Sequence, residues 1–145
     1  MKMMYAKRLI KLVNFLSEIP SKKFYYGNFA KETKTCGTVC CALGWAGMMP
    51  EFRKLGLRTY APNNEVTLEG VNSTECRIAE IFFDLTADES FGLFIPGFQK
   101  DIGFKNLTDK AKLKTVMNNI VAVVERYHDV KLSHDEYEVV SRKVK

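Results

Sequence analysis

The chain has 145 residues, 46% hydrophobic and 27% charged, with a formal net charge of +5. That length suits one domain spanning residues 1–145, and the composition is that of an ordinary soluble globule. No apolar run approaches the roughly 20 residues that cross a bilayer, so a membrane partner is not expected. The charge is uneven. Residues 1–60 hold eleven Lys/Arg against three acids, a balance of +8, and residues 61–145 hold eleven against fourteen, a balance of −3. A basic half suits an anionic partner or a lysine-rich solvated surface.

Residues 3–17 read as an amphipathic helix, with Tyr5, Leu9, Leu12, Val13 and Leu16 at three- and four-residue spacing. Lys2, Lys7, Arg8 and Lys11 fall mainly on its other side, as on a core helix with a basic outer face or a membrane-surface helix. Lys11 and Asn14 interrupt any signal-peptide core, and no small-residue cleavage site follows. The protein is therefore expected in the cytoplasm, with Cys36, Cys40, Cys41 and Cys76 as reduced thiols. Pro20 ends the first helix. The aromatic run Phe24-Tyr25-Tyr26 follows Lys22 and Lys23, and Asn28 is placed to cap a short helix over 29–33.

The segment from Thr35 to Pro50 holds three of the four cysteines, the single tryptophan and three glycines. It reads as a tight turn feeding a buried helix, with Thr38 as N-cap and Pro50 as the stop. Gly44 and Gly47 weaken a helix by roughly 1 kcal/mol each, which points to close approach by another element or a ligand. Trp45 is expected to be buried. Glu51 to Gly56 adds a further helical turn closed by Gly56. Leu57–Tyr60 and Glu65–Leu68 alternate around Pro62-Asn63-Asn64 and predict a β-hairpin.

Ser73 or Thr74 caps a helix over about 75–84, apolar on more than one side. Thr86 and Glu89 have capping-box spacing and start a short helix reaching Leu93 or Phe94, ended by Pro96-Gly97. Phe98 to Phe104 reads as a loop. Thr108 caps a long helix over about 109–128, with a stripe of Leu113, Val116, Met117, Ile120, Val121, Val124 and Tyr127. Ser133 opens a short C-terminal helix, and residues 141–145 form a polar tail that frays. The predicted fold is a mainly helical α+β domain with five to seven helices around one core and a small hairpin at its edge.

Several features recur together: Ile19-Pro20 before Phe24-Tyr25, Cys36-Gly37-Thr38-Val39-Cys40 with Gly44-Trp45-Ala46, Pro50-Glu51-Phe52, and Ile81-Phe82-Phe83-Asp84-Leu85 with Leu93-Phe94. In this the chain resembles, over roughly residues 5–95, a family of small phage and bacterial proteins of no established activity. That family's pattern is Cys-Gly-Thr-x-x-Cys-x-x-Gly-Trp/His-Ala followed by a Phe-Phe-Gly-Leu segment. The second cysteine of the pattern is Cys40 or Cys41, and Asp84 stands where the pattern often has glycine. No catalytic role carries over. The resemblance implies a phage setting, in which interference with a host system is expected.

Three kinds of site compete. Cys36 with Cys40 or Cys41 and His128 or His134 could supply zinc ligands, but there is no second Cys-x-x-Cys pair. Cys36, just before a helix N-terminus, could be a nucleophile, with only His128 and His134 as bases. Asp84, Asp88 and Glu89 look like helix-end acids rather than a catalytic pair. The third site is an anion pocket. Gly37-Thr38 at a helix N-terminus would offer N–H donors and a hydroxyl. Lys31, Lys34 and Arg53 would add charge, and Tyr25 or Tyr26 a stacking face. The sequence thus points to a non-enzymatic binding protein with no metal or cofactor; in the phage setting that the resemblance implies, this would be a counter-defence factor that sequesters a nucleotide signal in the host cytoplasm. The alternatives are direct inhibition of a host defence protein and a cysteine-dependent enzyme. A homo-oligomer is left open.

Overall fold

The structure, a computed structural model, describes residues 2–25, 30–33, 37–94 and 106–126. They form a mainly helical α+β fold with six α-helices and two antiparallel hairpins. No helix among the described residues is long and apolar enough to cross a membrane.

Helix α1, Met3–Glu18, buries Ala6, Leu9, Ile10, Leu12, Val13 and Leu16. Its N-terminus has no side-chain cap. Its stability therefore rests on the apolar stripe, which packs on α6, Asp109–Glu125. Thr108 caps α6 by accepting the Ala111 N–H at 3.2 Å. Val123 is buried there and Val121 only half-buried, a slight rotation from the expected stripe.

Helix α4, Glu75–Phe83, is capped by Thr74, and α5, Ala87–Phe94, by a reciprocal capping box. The Thr86 N–H donates to Glu89 Oε1 at 2.9 Å and the Glu89 N–H to Thr86 Oγ1 at 3.2 Å. Between the two helices Asp84 sits at φ 54, the left-handed position just past a helix end. The Asp84 and Leu85 N–H groups both return to the Glu80 carbonyl. The turn needs φ > 0, where glycine carries no penalty, and Asp is among the few other residues that tolerate it.

The aromatic centre joins α3, Pro50–Arg53, to α4 and α5. Phe52 meets Phe82 edge-on at 5.0 Å, Phe82 meets Phe83 at 4.9 Å, and Phe83 stacks on Phe94 at 5.2 Å. Cys41, Ala42, Leu43, Ala46 and Met49 join the same cluster.

The central segment departs from expectation. Lys31–Thr33 is strand β1 rather than a short helix, and it pairs antiparallel with β2, Gly37–Val39. Thr38 therefore lies in a strand. The helix begins later, as α2, Ala42–Ala46, with Cys41 at its N-cap position and no side-chain cap. The intrinsic N-cap preference of Thr38 yields to strand pairing. Pro50 does not stop this helix but starts α3 at its first position, where its missing N–H costs nothing. Gly56 turns the chain at φ +96 into the second hairpin, β3 Leu57–Tyr60 and β4 Glu65–Leu68, which pair as expected. Asn64, at φ 50 in its turn, also accepts the Ala30 N–H at 3.1 Å and so ties the two hairpins together.

Gly47 and β3 are in intimate contact. The Thr59 N–H donates to the Gly47 carbonyl at 3.3 Å and the buried Thr59 hydroxyl to the Gly44 carbonyl at 2.7 Å. A Cβ at Gly47 would overlap the Thr59 hydroxyl and lie 2.8 Å from the Thr59 nitrogen. The close approach expected from the glycines is thus that of a strand. Trp45 is half-buried rather than buried. Its Nε1 donates to the Lys23 carbonyl at 3.1 Å, and its ring meets Phe15 at 5.8 Å. An indole with a polar handle settles at the core's margin, where that handle finds a partner. Asn28, Pro96-Gly97, the loop Phe98 to Phe104, Tyr127, the helix from Ser133 and the tail 141–145 lie outside the described residues.

Candidate anion-binding surface

The outer side of α1 carries the densest charge of the basic half. Lys2, Lys7 and Lys11 are exposed there, because the apolar stripe leaves them no other side. Arg8 behaves differently. Its Nη1 donates to the Phe82 carbonyl at 2.7 Å, and the guanidinium lies over the Phe82 ring at 4.4 Å and the Tyr5 ring at 5.1 Å. Phe82 is in the last turn of α4, where a cation meets the unsatisfied carbonyls and the negative end of the helix dipole. Burial draws the arginine below its ordinary pKa, with Tyr5 acting in the opposite direction. Arg8 remains a cation at any ordinary pH.

An open cleft of about 510 Å³ lies between α1 and the α3 turn. Met3, Met4, Phe52 and Leu55 form its apolar wall; Lys7, Arg8 and Lys11 stand on the α1 side and Glu51 on the α3 side. Three cations therefore face one acid. Spacing alone hinted at it: Met3, Lys7 and Lys11 recur every four residues, as do Glu51 and Leu55.

The residues expected to make an anion pocket are placed unevenly. Tyr25 is 40% exposed and its N–H donates to the Cys40 carbonyl at 2.9 Å, beside the end of β2. Gly37 and Thr38 pair with Thr33 and Glu32, so they form no helix N-terminus and their amides do not converge there. Lys31 lies opposite Val39 in the same hairpin. Arg53 is half-buried on α3, which packs on β3. Tyr26 and Lys34 lie outside the described residues.

The thiols within reach are poor nucleophiles. Cys40 and Cys41 are buried. Burial, with Cys41 alongside, pushes the Cys40 thiol up to about 12. Burial likewise raises Cys41 to about 11, against nearby backbone N–H groups of Gly44 and Leu43. Both serve as small hydrophobes of the core. Cys76 is half-buried and also raised, first by burial; its Sγ lies 3.6 Å from the Ser90 hydroxyl, which donates to the Cys76 carbonyl at 2.8 Å. Ser90 thus pins α5 to α4. Among the described residues no group of three or more His, Cys, Asp or Glu could hold a metal. Cys36, His128 and His134 lie outside them. Asp84 and Glu89 occupy a helix end and a cap, and Asp88 lies in the first turn of α5.

Comparison with known proteins adds no relative: no family model, curated protein or solved structure matches the chain.

Proposed function

We propose that the chain is a non-enzymatic binding protein for an anionic partner, engaged through its basic N-terminal half. One observation carries this reading. Lys2, Lys7, Lys11, Lys22, Lys54 and Arg58 all remain exposed, so the positive charge of that half is presented to solvent. Cys40 and Cys41 are buried and their thiols raised, so neither is suited to thiol chemistry; Cys36, the expected nucleophile of the enzyme alternative, lies outside the described residues.

The phage resemblance supplies the setting, a counter-defence factor in the host cytoplasm. The partner in such a setting is a nucleotide signal or an acidic face of a host defence protein. Sequestration of a nucleotide draws on Tyr25 as a stacking face and on charge, but loses the converging amides assumed for Gly37-Thr38. The α1 cleft, apolar within and basic at its side, suits a protein better.

Calorimetry against cyclic and linear nucleotides, beside pull-downs from infected cells at two salt concentrations, tests the reading. A complex weakened by salt is expected. Heat with a nucleotide selects sequestration. Absence of both heat and complex would sink the binding reading altogether.

A further inference from the structure

We propose that the cleft between α1 and α3 is a docking site for an acidic peptide segment of a partner protein, one that inserts an apolar anchor beside its carboxylates. This rests on the reading of the chain as a binder of anionic partners and names the place and the chemistry.

The cleft combines two features that rarely coincide on a merely solvated face. Two of its apolar residues are held open to solvent beside the buried Phe52: Met4 is 53% exposed and Leu55 52%. Its volume of about 510 Å³ lies within the range of about 300–1,000 Å³ that holds a ligand of several side chains' bulk. Methionines at such a rim adapt to differently shaped anchors.

Charge complementarity fixes the occupant. Lys7, Arg8 and Lys11 line one side against Glu51 on the other, so a segment of net negative charge is attracted. Lys7 and Lys11 are one helical turn apart and can meet two acids spaced similarly on the partner. Arg8 is already oriented by the Phe82 carbonyl and two aromatic rings, so less freedom is lost on binding. Glu51 discriminates, since it repels a uniformly anionic polymer yet accepts a donor from a peptide. A flat anionic bilayer cannot fill a concave site, and a phosphate backbone leaves the Met4–Leu55 wall unused.

The test uses the full-length protein and a displayed library of random 16-residue peptides. The tightest selected peptides are then resynthesised and titrated against wild type, Lys11→Glu and Leu55→Ser. Both substitutions fall on exposed side chains, and thermal unfolding confirms that the variants fold. The expected result is a selected pool rich in Asp/Glu with one or two aliphatic or aromatic residues. Each variant should weaken binding roughly tenfold, as for residues central to an interface. A pool without acidic bias, or peptides indifferent to both variants, would overturn the docking site. So would binding of phosphatidylserine vesicles or a mixed-sequence oligonucleotide in place of any peptide. If a nucleotide or host protein binds and ignores Lys11→Glu and Leu55→Ser, the cleft is refuted while the broader binding function stands.

Discussion

Gly47→Ala should destabilise the protein although its backbone would welcome alanine. Gly47 has φ −71 and ψ −7, a helical conformation open to any residue, so the cost is steric alone. The added methyl would overlap the Thr59 hydroxyl and come within 2.8 Å of the Thr59 nitrogen and 3.0 Å of the Arg58 carbonyl carbon. A free hydroxyl would rotate away, but here it is committed to the Gly44 carbonyl, and the other two atoms are backbone. Relief therefore requires β3 to move from α2. Overpacking of this kind costs about 1–3 kcal/mol, and a backbone neighbour argues for the upper part of that range. In a domain of this size that is a fall of roughly 3–10 °C in the unfolding midpoint. Gly92 in α5 is the internal control. No atom outside its own surroundings lies within 4 Å of a Cβ there, so Gly92→Ala should stabilise by about 0.5–1 kcal/mol through helix propensity. Urea denaturation of both variants, read as midpoints at constant m-value, makes the comparison. A Gly47→Ala midpoint at or above wild type would refute the contact between α2 and β3.

Asp84→Gly should stabilise by about 1 kcal/mol, since glycine carries no penalty at φ 54; a fall in midpoint in the same assay would contradict the left-handed turn. Trp45→Ala should cost about 3 kcal/mol, the lower end for a large aromatic because the ring is half-exposed, and Trp45→Phe less, the difference reporting the bond to Lys23. Thiol titration should make stability fall at alkaline pH. The folded-state pKa values of Cys40 and Cys41 are raised from 9.0 to about 12 and about 11. Their contribution is complete below pH 9 and lost as pH climbs through that interval, with a limiting slope of about 1.4 kcal/mol per unit per thiol. Urea midpoints between pH 8 and 11 should decline less steeply in Cys40→Ala, and equal slopes would count against a buried Cys40.

Much of the helical framework was legible because its signals are local. Thr74, Thr86 and Thr108 are caps whose hydroxyls have few competing uses, and the stripe of α1 repeats over four turns. The Leu57–Leu68 hairpin followed from alternation on both sides of a turn. The first hairpin did not. Its strands have three residues each, too few for a period, and the pairing of β2 with β1 is set by tertiary context. That same context removed the presumed helix start at Thr38 and with it the phosphate-turn geometry built on Gly37-Thr38. Trp45 lies at the core's margin rather than inside it, a position its apolar neighbours in sequence do not report because they say nothing about where an indole N–H finds an acceptor. The α1–α3 cleft arises between elements some forty residues apart, so four-residue spacing marks each of its two sides but not their meeting.

The packing of α1 on α6 has a consequence for synthesis. During translation α1 is made well before α6, the helix it packs on most extensively, which begins only at Asp109. At about 5–20 residues per second, the ninety residues between Glu18 and Asp109 take roughly 5–18 s to make. Throughout that interval the apolar stripe of α1 lacks the share of its cover that α6 supplies, while α2 and α4 arrive earlier to supply theirs. The Arg8 clamp likewise waits for the end of α4. The nascent chain therefore carries a partly sheltered amphipathic segment through that interval, a natural target for chaperones that hold apolar segments until α6 arrives.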